Sequence, residues 1–316
     1  MGRTRARSPK HAVLPLACVA VALIHVSAQD RAAPAPPAPR IVHTDPARYR
    51  PSPAVHGGAG TMSFAALLTR GALTPEFNFL HRGVIPAGSG IGHHFHNVVE
   101  EMFVILDGEA QFTIDGRTAV VKGPAGVPCR AGHSHAIYNP GPAPVQWMNL
   151  NVSLVPGVFD YFDLGDTRAG AALDAVPTFM SVHFDTALLR AGGGRGAAAS
   201  PPLPNAVLSR RVAGPAMFST TWSYVDHVAV PAGASTPDLP HDAVAEAYYV
   251  LGGEGTITIA GPDAGTAAVR TGDAIPVHLG ETTRFTSTGS VPLELMVMGV
   301  AKDMAAKTQL LTAAPR

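Results

Sequence analysis

Apolar and polar residues alternate over short stretches along most of the chain, with the period of about two residues that is typical of half-buried β-strands. Turn residues such as Asp107-Gly108 and Asp115-Gly116 separate these stretches, and a sustained helical period is rare. The pattern therefore predicts an all-β sandwich or barrel. The predicted strands are Phe77–Ile85, Met102–Leu106, Ala110–Ile114, Gln146–Val152, Thr220–Val230, Ala247–Leu251, Thr256–Ile259 and Leu293–Val300.

The two halves of the chain carry the same features in the same order. Gly88 and Glu101 match Gly233 and Glu246 at a constant offset of 145 residues, and the apolar strand after each Glu keeps that register. Three extra residues in a later hairpin of the second half then shift the offset to 148. This repeat predicts a tandem duplication of one β domain, with copies over residues 40–166 and 167–316.

The N-terminus is different in composition from the rest of the chain. Basic residues precede an apolar run over residues 12–26, and small residues that a signal peptidase accepts end at Ala28. A membrane anchor is the alternative, but a span needs about 18 apolar residues and Pro15 interrupts this shorter run. We therefore expect residues 1–28 to be a secretory signal and residues 29–39 to be an Ala/Pro-rich tether. A second Gly/Ala/Pro stretch, Ala191 to Pro204, predicts a loop near the domain boundary.

The charge balance and the cysteine count limit what the exported protein can bind and how it can be cross-linked. The chain has 23 Lys and Arg against 23 Asp and Glu, which argues against binding to nucleic acid. Of the two cysteines, Cys18 lies in the predicted signal, so Cys129 has no partner for an intramolecular disulfide. The prediction is a secreted or periplasmic protein that is not held at a membrane once the signal is removed.

The first repeat contains a regularly spaced set of polar residues. Gly88 is followed after five residues by His94, then by His96, by Glu101 after four more, and by Gly108 after six more. This spacing resembles the first motif of the cupin family. The second cupin motif is similar to a later set with an irregular Pro–Gly distance: Pro128, Gly132, His135 and Asn139. The resemblance covers both repeats and implies two tandem jelly-roll (double-stranded β-helix) barrels.

The same residues predict a metal site on geometric grounds. His94 and His96 lie two apart on one strand, so both imidazoles point to one face. Adjacent Glu100 and Glu101 face opposite ways, and the second repeat keeps an acid only at the position of Glu101. With His135 as a third imidazole, the sequence predicts one divalent metal ion per chain, and the ligand types suit Fe, Mn or Zn without choosing among them.

The second repeat has lost part of this set. Leu239 and Thr283 stand in place of the first and third His, so only His241 and Glu246 remain. We expect this barrel to be a scaffold, a dimerisation surface or a metal-free pocket. An irregular site that recruits two further histidines stays open as an alternative: His227 and His278.

Other residues near the predicted centre have less specific patterns. His93 and His133 alternate with ligands and are expected to point away from the metal, and Cys129 is expected to be a small buried side chain. Side chains that could contact a substrate are Arg82, Gln111, Tyr138 and Trp147.

The predicted function is that of a secreted metal-dependent dioxygenase or related oxidoreductase acting on a small molecule. Cupin oxalate decarboxylases commonly carry an Arg three residues before the first His, where this chain has Ile91, and that difference disfavours oxalate chemistry. A non-catalytic bicupin that binds a small ligand or carbohydrate, or a metal-dependent sugar isomerase or lyase, remains open because the same ligands serve several reaction types. Homo-oligomers are also possible.

Overall fold

The computed structural model describes Gly2 and residues 40–191 and 205–312. The predicted signal and tether, and nearly all of the predicted loop up to Pro204, lie outside the described residues. Among the described residues, the helices are too short or too polar to cross a membrane.

The described residues form 23 strands, four 3-10 turns and one regular α-helix. The strands of the first half are β1 (Val42–His43), β2 (Arg50–Pro53), β3 (Thr61–Leu68), β4 (Phe77–Ile85), β5 (Gly90–His96), β6 (Val99–Ile105), β7 (Glu109–Ile114), β8 (Arg117–Lys122), β9 (Ala125–Cys129), β10 (His133–Tyr138), β11 (Val145–Ser153) and β12 (Phe162–Asp166). Those of the second half are β13 (Val182–His183), β14 (Arg190–Ala191), β15 (Leu208–Ala213), β16 (Trp222–Val230), β17 (Leu239–Pro240), β18 (Val244–Gly252), β19 (Glu254–Ala260), β20 (Gly265–Arg270), β21 (Asp273–Val277), β22 (Thr282–Ser287) and β23 (Leu293–Ala301). The 3-10 turns are Pro46–Arg48, Val55–Gly57, Thr186–Leu188 and Pro215–Met217, and the helix α1 is Met304–Thr312.

Each half folds as a two-sheet barrel, as the alternating pattern predicts. The first barrel combines a seven-stranded sheet, in the order β13-β9-β6-β11-β4-β3-β2, with a five-stranded sheet, β12-β5-β10-β7-β8. The second combines a seven-stranded sheet, β1-β21-β18-β23-β16-β15-β14, with a four-stranded sheet, β17-β22-β19-β20. All neighbouring strands are antiparallel, as expected for jelly rolls.

The two barrels exchange short edge strands. β1 precedes the first barrel in the chain but pairs with β21 of the second, and β13 follows the first barrel's last strand but pairs with β9. Each large sheet therefore ends in a strand supplied by the segment next to the other barrel. Such pairing covers strand edges that would otherwise expose unpaired backbone groups. The domain limits predicted from the repeat do not include this exchange.

The hydrophobic core has three main parts. One cluster fills the first barrel around Phe103 and Trp147, and another fills the second around Tyr248 and Phe285. The third joins the outer faces of the two seven-stranded sheets, where Met102, Val104 and Met148 pack with residues of β16, β18 and β23. The large sheets of the two barrels therefore lie back to back. Alternate residues of β6 consequently face the barrel interior or the other barrel, which decides where its two acids point.

The strands agree with the sequence pattern, whereas helix α1 was not predicted. All eight predicted strands are present with limits within a few residues. The helix is short, and only Ala306 and Lys307 are buried in it, so its sequence has no sustained apolar period. Ala306 packs with Tyr224, Val244 and Ala301 of the second barrel.

Candidate metal centre and its cavity

Four side chains converge inside the first barrel. His94 and His96 come from β5, Glu101 from β6 and His135 from β10, and each is at most 2% exposed. One ligand atom from each lies within 4.8 Å of the others. Strand pairing produces this convergence, because β10 lies next to β5 and places His135 directly opposite His94. The structure thus brings together the four ligands predicted from the sequence.

The distances between the donor atoms suit one shared metal ion. His135 Nε2 lies 3.0 Å from His94 Nε2, 3.2 Å from His96 Nε2 and 3.4 Å from Glu101 Oε2. Donors bound to a metal at about 2.1 Å and at right angles to each other are separated by about 3.0 Å. The donor set and its spacing therefore fit a divalent ion with further coordination positions.

Backbone carbonyls fix the tautomers of two of the imidazoles. His94 Nδ1 lies 2.7 Å from the carbonyl oxygen of Gly92, and His96 Nδ1 lies 2.6 Å from that of Asp160. A carbonyl only accepts hydrogen bonds, so each Nδ1 carries the proton and each Nε2 keeps a lone pair. Both lone pairs are thus directed at the centre, which is the arrangement of metal-binding histidines.

Two amides hold the carboxylate. Asn149 Nδ2 donates to Glu101 Oε2 at 3.1 Å, and Asn151 Nδ2 donates to Glu101 Oε1 at 2.7 Å. Both asparagines lie on β11, which pairs with β6. They orient the carboxylate without neutralising it, so its charge remains available to a cation.

The protonation states also suit a cation. Burial, followed by the nearby His135, lowers the pKa of His94, and burial lowers the pKa of His135 to about 4. Burial alone would raise the pKa of Glu101, but His96 and His135 outweigh it and hold that pKa well below its usual range. Burial would lower the pKa of His96, but the neighbouring Glu101 outweighs it and raises that pKa. At neutral pH the cluster therefore offers neutral His94 and His135 beside an ionised carboxylate, and a bound cation would compete with a proton at His96.

A cavity of about 180 Å³ adjoins the cluster and is lined by two of its members, His94 and Glu101. Its wall is mainly aromatic and aliphatic, with no Lys or Arg among the described lining residues. The lining residues are Val55, His56, Met62, Phe64, Phe79, His81, Ile91, His94, Glu101, Phe103, Trp147, Asn149 and Phe159.

Two imidazoles outside the ligand set also line this cavity. His81 stacks on Phe79 with ring centroids 3.9 Å apart, and burial lowers its pKa to about 4. His56 stacks on His94 at 3.9 Å and contacts Asp163 through Nδ1 at 2.8 Å. Neither residue is predicted by the spacing of the motifs. His81 alternates with Phe79 on one strand, so the period of two could have placed it in the barrel, whereas His56 arrives on a 3-10 turn outside the motifs.

Only one of the four predicted substrate residues reaches the cavity. Trp147 lines it, and its Nε1 is buried without a hydrogen-bond partner among the described residues. Arg82 faces the second barrel instead, where its guanidinium donates to Tyr249 Oη at 3.2 Å and to Gln146 Oε1 at 2.6 Å. The prediction for Arg82 is wrong because neighbouring positions of β4 point to opposite faces, and His81 takes the inner one.

Gln111 and Tyr138 do not line the cavity either. They are Cα partners on β7 and β10, and they alternate with the interior residues Phe112 and Ile137. Both therefore lie on the outer face of the five-stranded sheet. The prediction that they contact a substrate at this centre is corrected by the same strand alternation.

The other neighbours of the ligands lie where alternation predicts. His93 contacts Ser134 Oγ at 2.9 Å, and His133 contacts Asp115 Oδ2 at 2.6 Å, both away from the cluster. Cys129 is buried, and burial raises the pKa of its thiol well above the ordinary value.

Glu100 points away from the metal ligands into the contact between barrels. Its carboxylate accepts hydrogen bonds from the backbone N–H groups of Ser219 and Thr220 at 2.6 and 2.9 Å, and from the Thr220 hydroxyl. Lys307 of helix α1 donates to the carbonyl of Phe218 in the same region, and burial lowers its pKa to about 8. The two adjacent acids of β6 therefore have separate roles.

The second barrel uses its remaining acid differently. Glu246 accepts hydrogen bonds from the hydroxyls of Tyr224 and Tyr248, and His241 Nε2 lies 2.9 Å from the hydroxyl of Thr283. Among the described residues, only the first barrel has a cluster of three or more His, Cys, Asp or Glu side chains suited to a metal.

The irregular alternative site does not assemble. His227 contacts Glu294 at 2.6 Å on another face of its strand, and His278 contacts Arg40 and the backbone of Ala72. Neither is among the described contacts of His241. These two histidines therefore belong to other parts of the barrel.

Comparison with known proteins agrees with the fold and the motif. The family model described as "Cupin domain" matches residues 81–152 and 226–299. The oxalate-binding protein of Thermotoga maritima is 31% identical over 102 residues, which cover 32% of this chain and 83% of that protein.

Two solved structures share the architecture. The Lactobacillus farciminis oxalate decarboxylase in complex with formate superposes with a TM-score of 0.54 at 13% identity, covering 83% of this chain and 86% of that one. A salicylate 1,2-dioxygenase variant of Pseudoaminobacter salicylatoxidans in complex with gentisate gives a TM-score of 0.53 at 13% identity, covering 75% and 71%. At these identities the likeness concerns the fold alone. Together with the two matched regions and the relative, it shows that this chain belongs to the cupin family as a two-domain bicupin.

Proposed function

We propose that this bicupin is a secreted metal-dependent oxidoreductase of the dioxygenase type that acts on a small aromatic molecule. The observation that carries the proposal is a four-donor cluster that opens onto an aromatic cavity containing two further imidazoles. A binding site needs only the metal and a complementary wall. Imidazoles that are not ligands add groups that can move a proton, which favours an enzyme.

The residues of the cluster would hold Fe(II) or Mn(II). His94, His96, His135 and Glu101 supply three nitrogen donors and one oxygen donor, a set that suits both ions. When bound, such a metal supplies electron transfer and a Lewis acid for substrate oxygen atoms. In a dioxygenase reaction both atoms of O₂ enter the product, so no external reductant is required.

The cavity wall selects the class of substrate. Phe64, Phe79, Phe103 and Phe159 supply flat apolar surface for an aromatic ring, and a volume of about 180 Å³ suits one ring rather than several. The buried Trp147 N–H has no partner among the described residues and can donate to an oxygen of the substrate. These groups bind the ring, orient its polar substituents and exclude water.

His81 is the side chain best placed to exchange a proton with the substrate. Because burial lowers its pKa to about 4, it is neutral at pH 7 and offers one lone pair and one N–H. It can therefore accept a hydrogen bond from a substrate hydroxyl and take up its proton as the substrate is oxidised.

Oxalate is the second candidate substrate or ligand, since a relative is named for binding it. A divalent metal could hold a small dicarboxylate. The cavity argues against this candidate, because no cationic side chain lines its described wall and most of that wall is apolar. The same observation disfavours sugar substrates.

Secretion is supported by the sequence pattern of residues 1–28. We expect the protein recovered from the periplasm or medium to begin at about Gln29. Intact mass of that protein is the measurement, and a mass that retains residues 1–28 would contradict secretion by signal cleavage.

The activity is tested with protein loaded anaerobically with Fe(II) or Mn(II). We expect O₂ uptake with an uncharged hydroxylated ring such as catechol, and no CO₂ release from oxalate. His81→Phe should lower turnover about 100-fold while metal occupancy stays unchanged, since it removes proton transfer and keeps the stacked ring. CO₂ release from oxalate, or tight oxalate binding without any O₂ uptake, would contradict the proposal.

A further inference from the structure

The second barrel contains a larger cavity than the first. Its volume is about 230 Å³, and it lies inside the barrel with an opening beside the exposed Pro237 and the half-buried Leu239. No charged side chain is among its described lining residues. They are Val207, Ser209, Val228, Thr236, Pro237, Leu239, Tyr248, Phe285, Leu295 and Val297.

This cavity is the counterpart of the one beside the metal ligands. Strand pairing places Leu239 opposite Thr283, as His94 lies opposite His135, so Leu239 occupies the position of a ligand. Val297 likewise occupies the position of Asn149 on the central strand. Polar groups that serve the metal in the first barrel are apolar here.

The cavity has also been enlarged. Ser209 pairs with Val228 as Phe64 pairs with Gly83, so a hydroxyl replaces a phenyl ring while a valine replaces the facing glycine. Leu295 similarly takes the position of Trp147. Losing a metal site would allow larger side chains to fill the space, and an unfilled apolar cavity destabilises a protein. Even with the added valine, the volume is about 230 Å³ against about 180 Å³ in the first barrel, which indicates instead that the space is kept for an occupant.

Polar atoms on the wall limit what that occupant can be. Ser209 is 9% exposed, and its hydroxyl has no hydrogen-bond partner among the described residues. Thr236 Oγ1 accepts from the backbone N–H of Phe285 at 3.0 Å, which leaves its own O–H to donate. The wall therefore offers two neutral hydroxyls within an apolar surface, a lining that favours an uncharged molecule with one or two polar atoms.

We propose that the second barrel binds, without a metal, a small uncharged apolar molecule that carries one hydroxyl or carbonyl group. The ligand enters beside Leu239, its apolar part occupies the wall around Phe285 and Leu295, and its polar group pairs with Ser209. This site does not depend on the metal or on the activity proposed for the first barrel.

The test uses the full chain in EDTA, with 4-fluorophenol as the probe and calorimetry and ¹⁹F NMR as readouts. We expect one equivalent of saturable binding that is lost in Ser209→Phe, which places the ring found in the first barrel at this position. Any further equivalent held by the aromatic cavity of the first barrel should be kept in Ser209→Phe and lost in Ile91→Trp. Leu239→Trp is a second blocking variant at the partly exposed opening, where a larger side chain is tolerated. The matched control is Ile91→Trp, which fills the first cavity and should keep this equivalent.

The polar contact is tested with a pair of probes. Ser209→Ala should weaken the binding of 4-fluorophenol about threefold to tenfold, which is the effect of one neutral hydrogen bond. The affinity for fluorobenzene, which has no hydroxyl, should stay unchanged. Equal losses for both probes would overturn the contact with Ser209. The absence of saturable binding, or an unchanged number of equivalents in Ser209→Phe and Leu239→Trp, would overturn the site itself.

Discussion

The two barrels hold an acid at the same place and satisfy it in different ways. In the first, Glu101 receives amide hydrogen bonds from Asn149 and Asn151 and faces three imidazoles. In the second, Glu246 accepts from two tyrosine hydroxyls, and a threonine stands in place of the third His. The second barrel therefore differs from the first in two ways: ligand positions are replaced, and the remaining acid, Glu246, has other hydrogen-bond partners.

The replacements in the second barrel depend on each other. Tyr224 and Tyr248 occupy the positions of Phe79 and Phe103, so each differs from its counterpart by one hydroxyl. Gly299 leaves room for one ring, since a Cβ there would lie 2.3 Å from Tyr224 Cζ. The first barrel has Asn151 at this position. The two hydroxyls donate to the buried carboxylate of Glu246, and a buried carboxylate needs such donors because desolvation is costly.

The largest expected effect is the loss of metal from the first barrel. Wild-type protein should bind one equivalent of Mn(II) per chain, and His96→Ala combined with His135→Ala should abolish that binding, because two of four ligands are removed. The matched control, His241→Ala in the second barrel, should keep one equivalent. Elemental analysis after dialysis measures this. Two equivalents in the wild type, or one that survives the double substitution, would break the comparison.

The next effect separates the two acids of β6. Glu101→Gln should lower Mn(II) affinity about tenfold or more, since it removes the charged donor and keeps the volume. Glu100→Gln should leave affinity unchanged but lower the free energy of unfolding by about 1–3 kcal/mol, because its carboxylate accepts three hydrogen bonds between the barrels. Calorimetric titration and urea unfolding are the measurements. A larger affinity loss for Glu100→Gln would show that Glu100, rather than Glu101, points at the metal centre.

A smaller effect is expected from rebuilding the second site. Leu239→His and Thr283→His restore two imidazoles, and Tyr224→Phe with Tyr248→Phe frees the acid from two of its hydroxyl partners. The fourfold variant should bind a second equivalent of Mn(II), more weakly than the first because Val297 and Gly299 stand where Asn149 and Asn151 orient the carboxylate of the first barrel. The two imidazoles alone should bind less than the fourfold variant. Equal binding by both would mean that the tyrosines do not compete with the metal.

The smallest effect concerns pH. His81 is a half-buried imidazole that is neutral at pH 7, whereas its counterpart Asp226 pairs with Arg211 at 2.9 Å. The folded-state pKa of His81, about 4, lies below the unfolded value of about 6.5, so the unfolded chain binds more protons as pH falls between them. Stability from this group is complete above pH ~6.5 and is lost towards pH ~4.

After an allowance for partial solvent screening, the low pKa of His81 should lower the free energy of unfolding by about 1–2 kcal/mol between pH 7 and pH 5. Urea unfolding of metal-free protein measures this effect. Between pH 7 and pH 5, the free energy of unfolding should fall less in His81→Phe than in the wild type, by this amount. The exposed His183→Asn serves as the control and should follow the wild type. If the free energy of unfolding falls equally in His81→Phe and in the wild type, His81 is not the source of this pH dependence.

The ligands could be predicted because their signals are local. The spacing of His94 and His96 on one strand and the repeat that distinguishes Glu101 from Glu100 need no knowledge of distant contacts. The same alternation, applied to β4 and β7, would have excluded Arg82 and Gln111 from the cavity. Arg82 and Gln111 have side chains suited to binding a substrate, but they lie on the outer faces of these strands.

Other features depend on contacts that sequence patterns do not contain. His56 and Phe159 reach the cavity from segments outside the motifs, and the exchanged strands β1 and β13 are only two residues long. Two-residue strands have no detectable period, and their pairing is decided by the partner edge. The role of Glu100 likewise depends on Ser219 and Thr220, more than a hundred residues away.

We expect one metal ion in the first barrel and none in the second. Anomalous diffraction from crystals grown with Mn(II) locates the ion directly. The account predicts one strong peak bonded to the Nε2 atoms of His94, His96 and His135 and to the Glu101 carboxylate. A peak beside His241 and Glu246, or a first-barrel peak that lacks the Glu101 carboxylate, would contradict it.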